Sequence, residues 1–228
     1  MSAQPRVHLL TGAGSGIGAE LAARLLERGD ELVLLARSAE RAEQLAADLP
    51  GSEVVVADLS RPGSVESLRL PEALDSVVHA AGIAELGSVA ELSTEAWVGQ
   101  LQVNLVAPAA LTRIALPALR ARRGTVVLLN SGAGLHAHPG WSAYAATKHG
   151  LKALADALRA EEAPYGVRVT SVYPGRTATA MQEEVHRQEG KEYDAAAWIQ
   201  PETVADAILH VLDLPRDATL TDLTLRPT

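Results

Sequence analysis

The stretch Thr11-Gly12-Ala13-Gly14-Ser15-Gly16-Ile17-Gly18 follows the apolar run Val7–Leu10 and leads into Leu21 and Leu25, spaced as one helix face. Four glycines in seven residues exceed the needs of an ordinary turn. A strand that turns tightly into a helix leaves bare backbone N–H groups at the helix N-terminus. Without side chains in the way, an anion can approach them. The stretch therefore predicts a strand–loop–helix unit that cradles a nucleotide phosphate. A P-loop would end in Gly-Lys-Ser/Thr, but Ala19 and Glu20 follow Gly18. The strict G-x-G-x-x-G dinucleotide fingerprint also fails, because Ala19 stands where its last glycine belongs. The pattern is T-G-x-x-x-G-x-G, with Gly12, Gly16 and Gly18 at the fixed points. It favours a dinucleotide over a turn built only for packing.

The rest of the chain repeats the same alternation. Leu32–Leu35, Val54–Ala57, Ser76–Val78, Thr125–Leu129 and Val167–Val172 are strand-length runs with little polar alternation. Strands apolar on both faces belong in a sheet covered on both sides. Helical patterns lie between them, at Ala42–Leu49, from Ser93 to about Arg120 with a bend expected near Pro117, from Ser142, and after Pro201. The tail around Thr219–Pro227 alternates like a last strand. The expectation is an α/β chain, a single-domain doubly wound parallel sheet over residues 1–228 with helices on both faces. Residues 175–200 show the least pattern and are expected to cover the sheet edge as a substrate lid.

Composition narrows the partners. The chain has 228 residues, a formal net charge of -8 and no cysteine. The acidic balance argues against nucleic acid, and the missing thiols exclude disulfides and cysteine nucleophiles. No apolar run reads as a membrane span and no secretory signal is evident, so the expectation is a cytoplasmic protein without a membrane partner. No metal site is expected, since His136 and His138 lack a third ligand.

Several residues stand where chemistry would need them. Arg37 ends the second strand run with no carboxylate beside it, where an arginine would accept a ribose 2′-phosphate. Ser38 follows it, and Asp58 follows the third strand run, in reach of an adenine. Tyr144 and Lys148 lie four residues apart on a predicted helix and share a face. A nearby ammonium would lower the phenol's pKa from about 10 and suit it to proton transfer. Ser131 follows a strand, at the sheet end where open α/β folds bind ligands. Asn104 stands in mid-helix, where a buried amide needs partners.

In this order and spacing, "TGAGSGIG", Asp58, "HAAG" at His79–Gly82, Asn104, Ser131, Tyr144-x-x-x-Lys148 and "PGRTAT" at Pro174–Thr179 resemble the short-chain dehydrogenase/reductase family over nearly the whole chain. The resemblance implies a catalytic set of Asn104, Ser131, Tyr144 and Lys148. Tyr144 would be the general acid/base, Lys148 would lower its pKa and hold the nicotinamide ribose, Ser131 would polarise the carbonyl, and Asn104 would hold a relay water. It implies cofactor contacts at Gly12, Ser15, Gly16, Ile17, Gly18, Arg37, Ser38, Asp58, Leu59, Ala81 and Gly82. Further contacts would come from Tyr144, Lys148, Pro174, Gly175, Thr177 and Thr179, the last at the nicotinamide carboxamide. It also implies a homodimer or homotetramer. The chain departs from the family where His79-Ala80 replaces a pair of asparagines that brace the sheet.

The expected function is an NADP(H)-dependent oxidoreductase interconverting a carbonyl and an alcohol, with NADP(H) preferred over NAD(H) through Arg37. The substrate is a small molecule, and His138, Trp141 and Met181 are expected to touch it. With Val185 and Trp198 they suggest an apolar or aromatic pocket for a medium-sized ketone, aldehyde or secondary alcohol. The alternative is a non-catalytic dinucleotide-binding sensor, which would not need Ser131, Tyr144 and Lys148.

Overall fold

A computed structural model describes residues 5–228. Strands β1 (Val7–Thr11), β2 (Glu31–Ala36), β3 (Glu53–Val56), β4 (Ser76–His79), β5 (Thr125–Leu129), β6 (Arg168–Pro174) and β7 (Asp222–Leu225) form one sheet. The order is β3-β2-β1-β4-β5-β6-β7, and every pairing is parallel. Crossover helices α1 (Gly16–Glu27), α2 (Ala39–Asp48), α3 (Thr94–Leu101), α4 (Ala107–Arg122), α5 (Ser142–Glu162), α6 (Ala180–Glu189) and α7 (Pro201–Asp213) complete the doubly wound architecture.

Consecutive strand residues serve opposite layers. On one face Leu9, Val77, Val126 and Val169 meet Leu111 and Leu119 of α4 and Leu151 and Leu158 of α5. On the other, Leu10, Val78, Val127 and Val172 meet Leu21 and Leu25 of α1 and Ile208 and Val211 of α7. Two buried faces explain why these strands read as continuous apolar runs.

Two expectations change. The long helix pattern breaks at Gln102–Val106, which forms a π-turn joining α3 to α4, while Pro117 sits inside α4. The π-turn gives Asn104 an irregular backbone, and such turns cluster at functional sites. Residues 175–200 are also not patternless, for they contain α6. Its buried residues are Gln182, Val185 and His186, so hydrophobic periodicity is silent there. The stretch Thr94–Arg122 is long and apolar enough to cross a membrane by composition, which the sequence reading did not register. Here Leu111, Ala115 and Leu119 of that stretch are fully buried in the core.

Candidate active site

β1 and β4 are neighbours whose connections leave in opposite directions, and ligands bind at such a switch point beyond the carboxyl ends of the strands. A cavity of about 710 Å³ opens there. Ile17 of the glycine loop lines one side of it. Gly12 has φ +77°, and a Cβ on it would stand 2.6 Å from the Ala81 nitrogen. Only glycine fits that approach, which brings the loop against the end of β4. The same contact is held by Ala81 N–H, which donates to Thr11 Oγ1 at 3.1 Å.

α1 begins at Gly16 with Ser15 at its N-cap, yet no side chain caps the helix and no acid lies in its first turn. Its leading N–H groups and the positive end of its dipole are therefore free to receive an anion. Arg37 is exposed at the end of β2. Ser38 caps α2 by accepting from Arg41 N–H at 3.3 Å. Arg41, which the sequence reading passed over, lies across the loop, since a Cβ on Gly14 would be 2.9 Å from its Nη2. Its signal was its place in the first turn of the helix that starts two residues after Arg37. Asp58 accepts from Ser60 N–H at 2.9 Å and Ser60 Oγ at 2.7 Å. Those bonds hold its carboxyl below the usual range. Leu59 packs into the core beneath it.

Ser131, Tyr144 and Lys148 all line the cavity. Ser131 stands just past β5, where its Oγ accepts from Ala133 N–H at 3.2 Å and keeps its own proton free to donate. Tyr144 and Lys148 share the inward face of α5 and are 8% and 4% exposed. Burial pushes the Tyr144 phenol above its ordinary value, and the Ser131 hydroxyl opposes that rise. The Lys148 ammonium donates to the Leu129 carbonyl at 2.8 Å, and burial brings its pKa down to about 8. It lies 5.7 Å from the Tyr144 ring centroid. The expected lowering of the Tyr144 pKa by Lys148 is therefore not seen in this site. Burial outweighs the opposing contributions at this phenol.

Asn104 is 1% exposed. Its Oδ1 accepts from Ile83 N–H at 2.9 Å, and its Nδ2 donates to Ile83 O at 2.9 Å and Thr147 Oγ1 at 3.1 Å. Gly82 leaves a gap between Asn104 and Lys148, where an added Cβ would meet Oδ1 at 3.3 Å and Nζ at 3.8 Å. Asn130 went unnoticed in the sequence. It is buried, accepts from Ser131 N–H at 2.8 Å and donates to the Lys148 carbonyl at 3.0 Å. One side chain thus ties the serine to the helix that carries tyrosine and lysine. The only hint was a polar residue directly after an apolar strand.

A family model described as short chain dehydrogenase matches residues 6–190. The chain belongs to that family. This short-chain dehydrogenase is 31% identical to a Bos taurus protein named dehydrogenase/reductase SDR family member 11, over 98% of this chain and 96% of the other. An alcohol dehydrogenase from the archaeon Thermococcus sibiricus, solved with 5-hydroxy-NADP, superposes with a TM-score of 0.86 at 27% identity, covering 99% and 97% of the two chains. A short-chain dehydrogenase from Sphingobium yanoikuyae in complex with NADPH gives 0.80 at 31% identity, covering 95% and 87%. The chain is accordingly an oxidoreductase with a nicotinamide dinucleotide site.

Ile17, Ala81, Gly82, Pro174, Gly175, Thr177 and Thr179 of the dehydrogenase reach the cavity. Thr179 packs on Gly16, and its Oγ1 caps α6 by accepting from Gln182 N–H at 3.3 Å. His79, which departs from the family pattern, bonds Thr112 Oγ1 at 2.8 Å and ties β4 to α4. Burial brings its pKa down to about 4.

His138, Trp141, Met181 and Val185 line the cavity as well. Trp198 does not line it; it packs behind, against His186 at 5.3 Å between ring centroids. The wall is less apolar than expected, because Arg176, Glu189, Lys191 and Arg226 also face the cavity. Arg176 reaches Glu189 at 2.8 Å, and Trp141 Nε1 donates to the same carboxylate at 3.3 Å. That joint connects the loop after β6, α6 and the loop before α5. None of these four charges shows in a periodicity pattern, since they meet only through tertiary folding.

Proposed function

We propose that this dehydrogenase interconverts a ketone or aldehyde and its alcohol, with Tyr144 as general acid/base and NADP(H) preferred over NAD(H). The observation that carries this reading is the meeting of Ser131, Tyr144 and Lys148 on one cavity that Ile17, in the first turn of the uncapped helix α1, also lines. That helix end fits a dinucleotide pyrophosphate, and Arg37 with Arg41 fits a ribose 2′-phosphate beside it. When bound, the cofactor supplies or accepts the hydride.

The chain's own residues do the rest. In reduction, Ser131 Oγ donates a hydrogen bond to the carbonyl oxygen. Tyr144 gives that oxygen its proton as the carbon becomes tetrahedral. Desolvation keeps the phenol protonated in the resting site, so it starts as an acid. Lys148, with a pKa near 8, releases a proton more readily than an exposed lysine and restores the phenol. The amide of Asn104 is already engaged with Ile83 and Thr147, so a relay water there would be held by its main chain. Oxidation runs the same transfers backwards.

We also propose a homodimer or a tetramer of dimers. Val98 on α3 and Val106 in the π-turn are 43% and 45% exposed. Ala146, Ala153 and Ala157 form a bare face of α5. A two-fold partner would cover both. The decisive experiment for the chemistry follows NADPH oxidation against a carbonyl panel. Tyr144→Phe should lower kcat by about two to four decades with little change in NADPH affinity. Wild-type turnover in that variant would refute the role.

A further inference from the structure

Arg226 has no partner that the reading above uses. It follows β7, and Gly175 N–H donates to Leu225 O at 2.8 Å, which holds the tail against the floor of the cavity. Its guanidinium reaches back to the end of β5. A Cβ on Gly132 would stand 2.6 Å from Arg226 Nη1, so any side chain there would take its place. Gly132 directly follows Ser131.

The other lysines and arginines on the lining are occupied. Lys148 donates to Leu129 O, and Arg176 pairs with Glu189 at 2.8 Å. Lys191 approaches the other oxygen of that carboxylate at 3.2 Å. Among the described residues Arg226 makes no hydrogen bond and no ion pair. The lining carries Lys148, Arg176, Lys191 and Arg226 against Glu189 alone, in a chain of net charge -8. A cleft of one sign concentrates ligands of the other.

The cofactor phosphates do not explain this cation. Its guanidinium lies against Gly132 at the end of β5, two sheet positions from β1, or roughly 10 Å at the usual strand spacing, beyond direct hydrogen-bond reach. The glycine loop, the proposed phosphate site, follows β1. A guanidinium fork matches a carboxylate through paired hydrogen bonds. Ser131 and Gly132 are neighbours, about 3.8 Å apart at Cα, so the charged group sits a few bonds from the reacting oxygen.

We infer that Arg226 binds a substrate carboxylate, and that the substrate class is short oxo acids and the matching hydroxy acids. This deepens the proposed carbonyl reduction and rests on it. It also agrees with an unphosphorylated substrate of modest size, since one guanidinium meets one carboxylate.

The test compares acetoacetate with methyl acetoacetate in the wild type, Arg226→Gln and Arg226→Lys, with NADPH. The wild type should favour the acid by about 10- to 100-fold in kcat/KM, the worth of one charge-assisted contact. Arg226→Gln should erase most of that ratio through KM, and Arg226→Lys should keep part of it. An acid-to-ester ratio equal in wild type and Arg226→Gln overturns the inference while leaving carbonyl reduction standing. Turnover of neither compound, nor of any panel carbonyl, counts against carbonyl reduction itself. Arg226 is then decided by tryptophan fluorescence titration with butyrate and butyramide at saturating NADP+. Tighter butyrate binding that is lost in Arg226→Gln supports the site, and equal binding of both probes overturns it.

Discussion

Replacing Lys148 by Met should stabilise the cofactor-free enzyme while destroying its activity. The lysine is 4% exposed, and its pKa falls from 10.5 to about 8 through burial alone. Each pKa unit corresponds to about 1.4 kcal/mol, so holding the ammonium inside costs about 3 kcal/mol. Met keeps the unbranched shape and removes the charge. It also strips Leu129 O of its donor, which costs about 1–2 kcal/mol. The net gain is about 1–2 kcal/mol near pH 7, or roughly 2–8 °C in Tm for a chain of this size. The pH dependence carries a definite sign. Between about 8 and 10.5 the unfolded lysine holds its proton more often than the folded one, so wild-type stability rises with pH relative to the variant. The difference between the two proteins should therefore shrink on going from about pH 7 to about pH 10. Thermal unfolding of both proteins at the two pH values measures it. A variant less stable than wild type at neutral pH, or a gap that does not close, refutes the reasoning.

Ala36→Asp with Arg37→Ser should turn the cofactor preference toward NAD(H), and Arg41→Ala alone should weaken NADP(H) by about tenfold; kcat/KM for both cofactors with one substrate decides both. His79, with its pKa lowered to about 4 from 6.5, is bound neutral, so stability should fall by about 3 kcal/mol as pH drops from 6.5 to about 4. His79→Gln, which can still reach Thr112, should show a flatter acid limb in urea unfolding. Asn130→Ala removes two buried hydrogen bonds and should cost about 1–3 kcal/mol together with a large loss of kcat; unchanged kcat would show that Ser131 and Lys148 do not depend on it. Light scattering at micromolar concentration should find dimers or tetramers, and a monomer would contradict the covered face proposed for α3–α5.

The fold was legible because the central strands β1, β4, β5 and β6 are buried on both faces. Leu9 and Leu10 point to opposite layers, so neither strand face needed a polar alternate. The Tyr144–Lys148 pair was legible because a helix fixes which residues share a face. What stayed hidden depended on contacts between distant segments. α6 buries mainly polar residues and so left no hydrophobic period. The π-turn at Asn104 leaves no side-chain signature. Arg41, Asn130 and Arg226 gain their meaning only from Gly14, Lys148 and Gly132, which lie far from them in sequence or across a helix turn. The burial that raises the Tyr144 phenol likewise depends on the packed fold. Spacing gives the distance to the lysine but not the backbone carbonyl that claims its ammonium.

The two ends of the cleft work under different electrostatics, and this bears on how the chain divides binding from chemistry. At the adenine end Arg37 and Arg41 are exposed, so solvent and salt screen them and each adds modest affinity. Such contacts can be exchanged with little effect on the fold. At the catalytic end Tyr144 and Lys148 are buried, where a charge interacts strongly and an unpaired one is costly. The sheet tolerates that cost because Leu129 O, Asn130 and Ser131 are fixed at the end of a central strand, with β4 and β6 on either side. The proposed proton relay would thus be held in place before any ligand arrives, as preorganised proton transfer requires. Arg226 stands between these regimes. It is exposed at the mouth but laid against the residue after Ser131. A carboxylate seated there would be drawn in by a screened charge and then held beside a desolvated one.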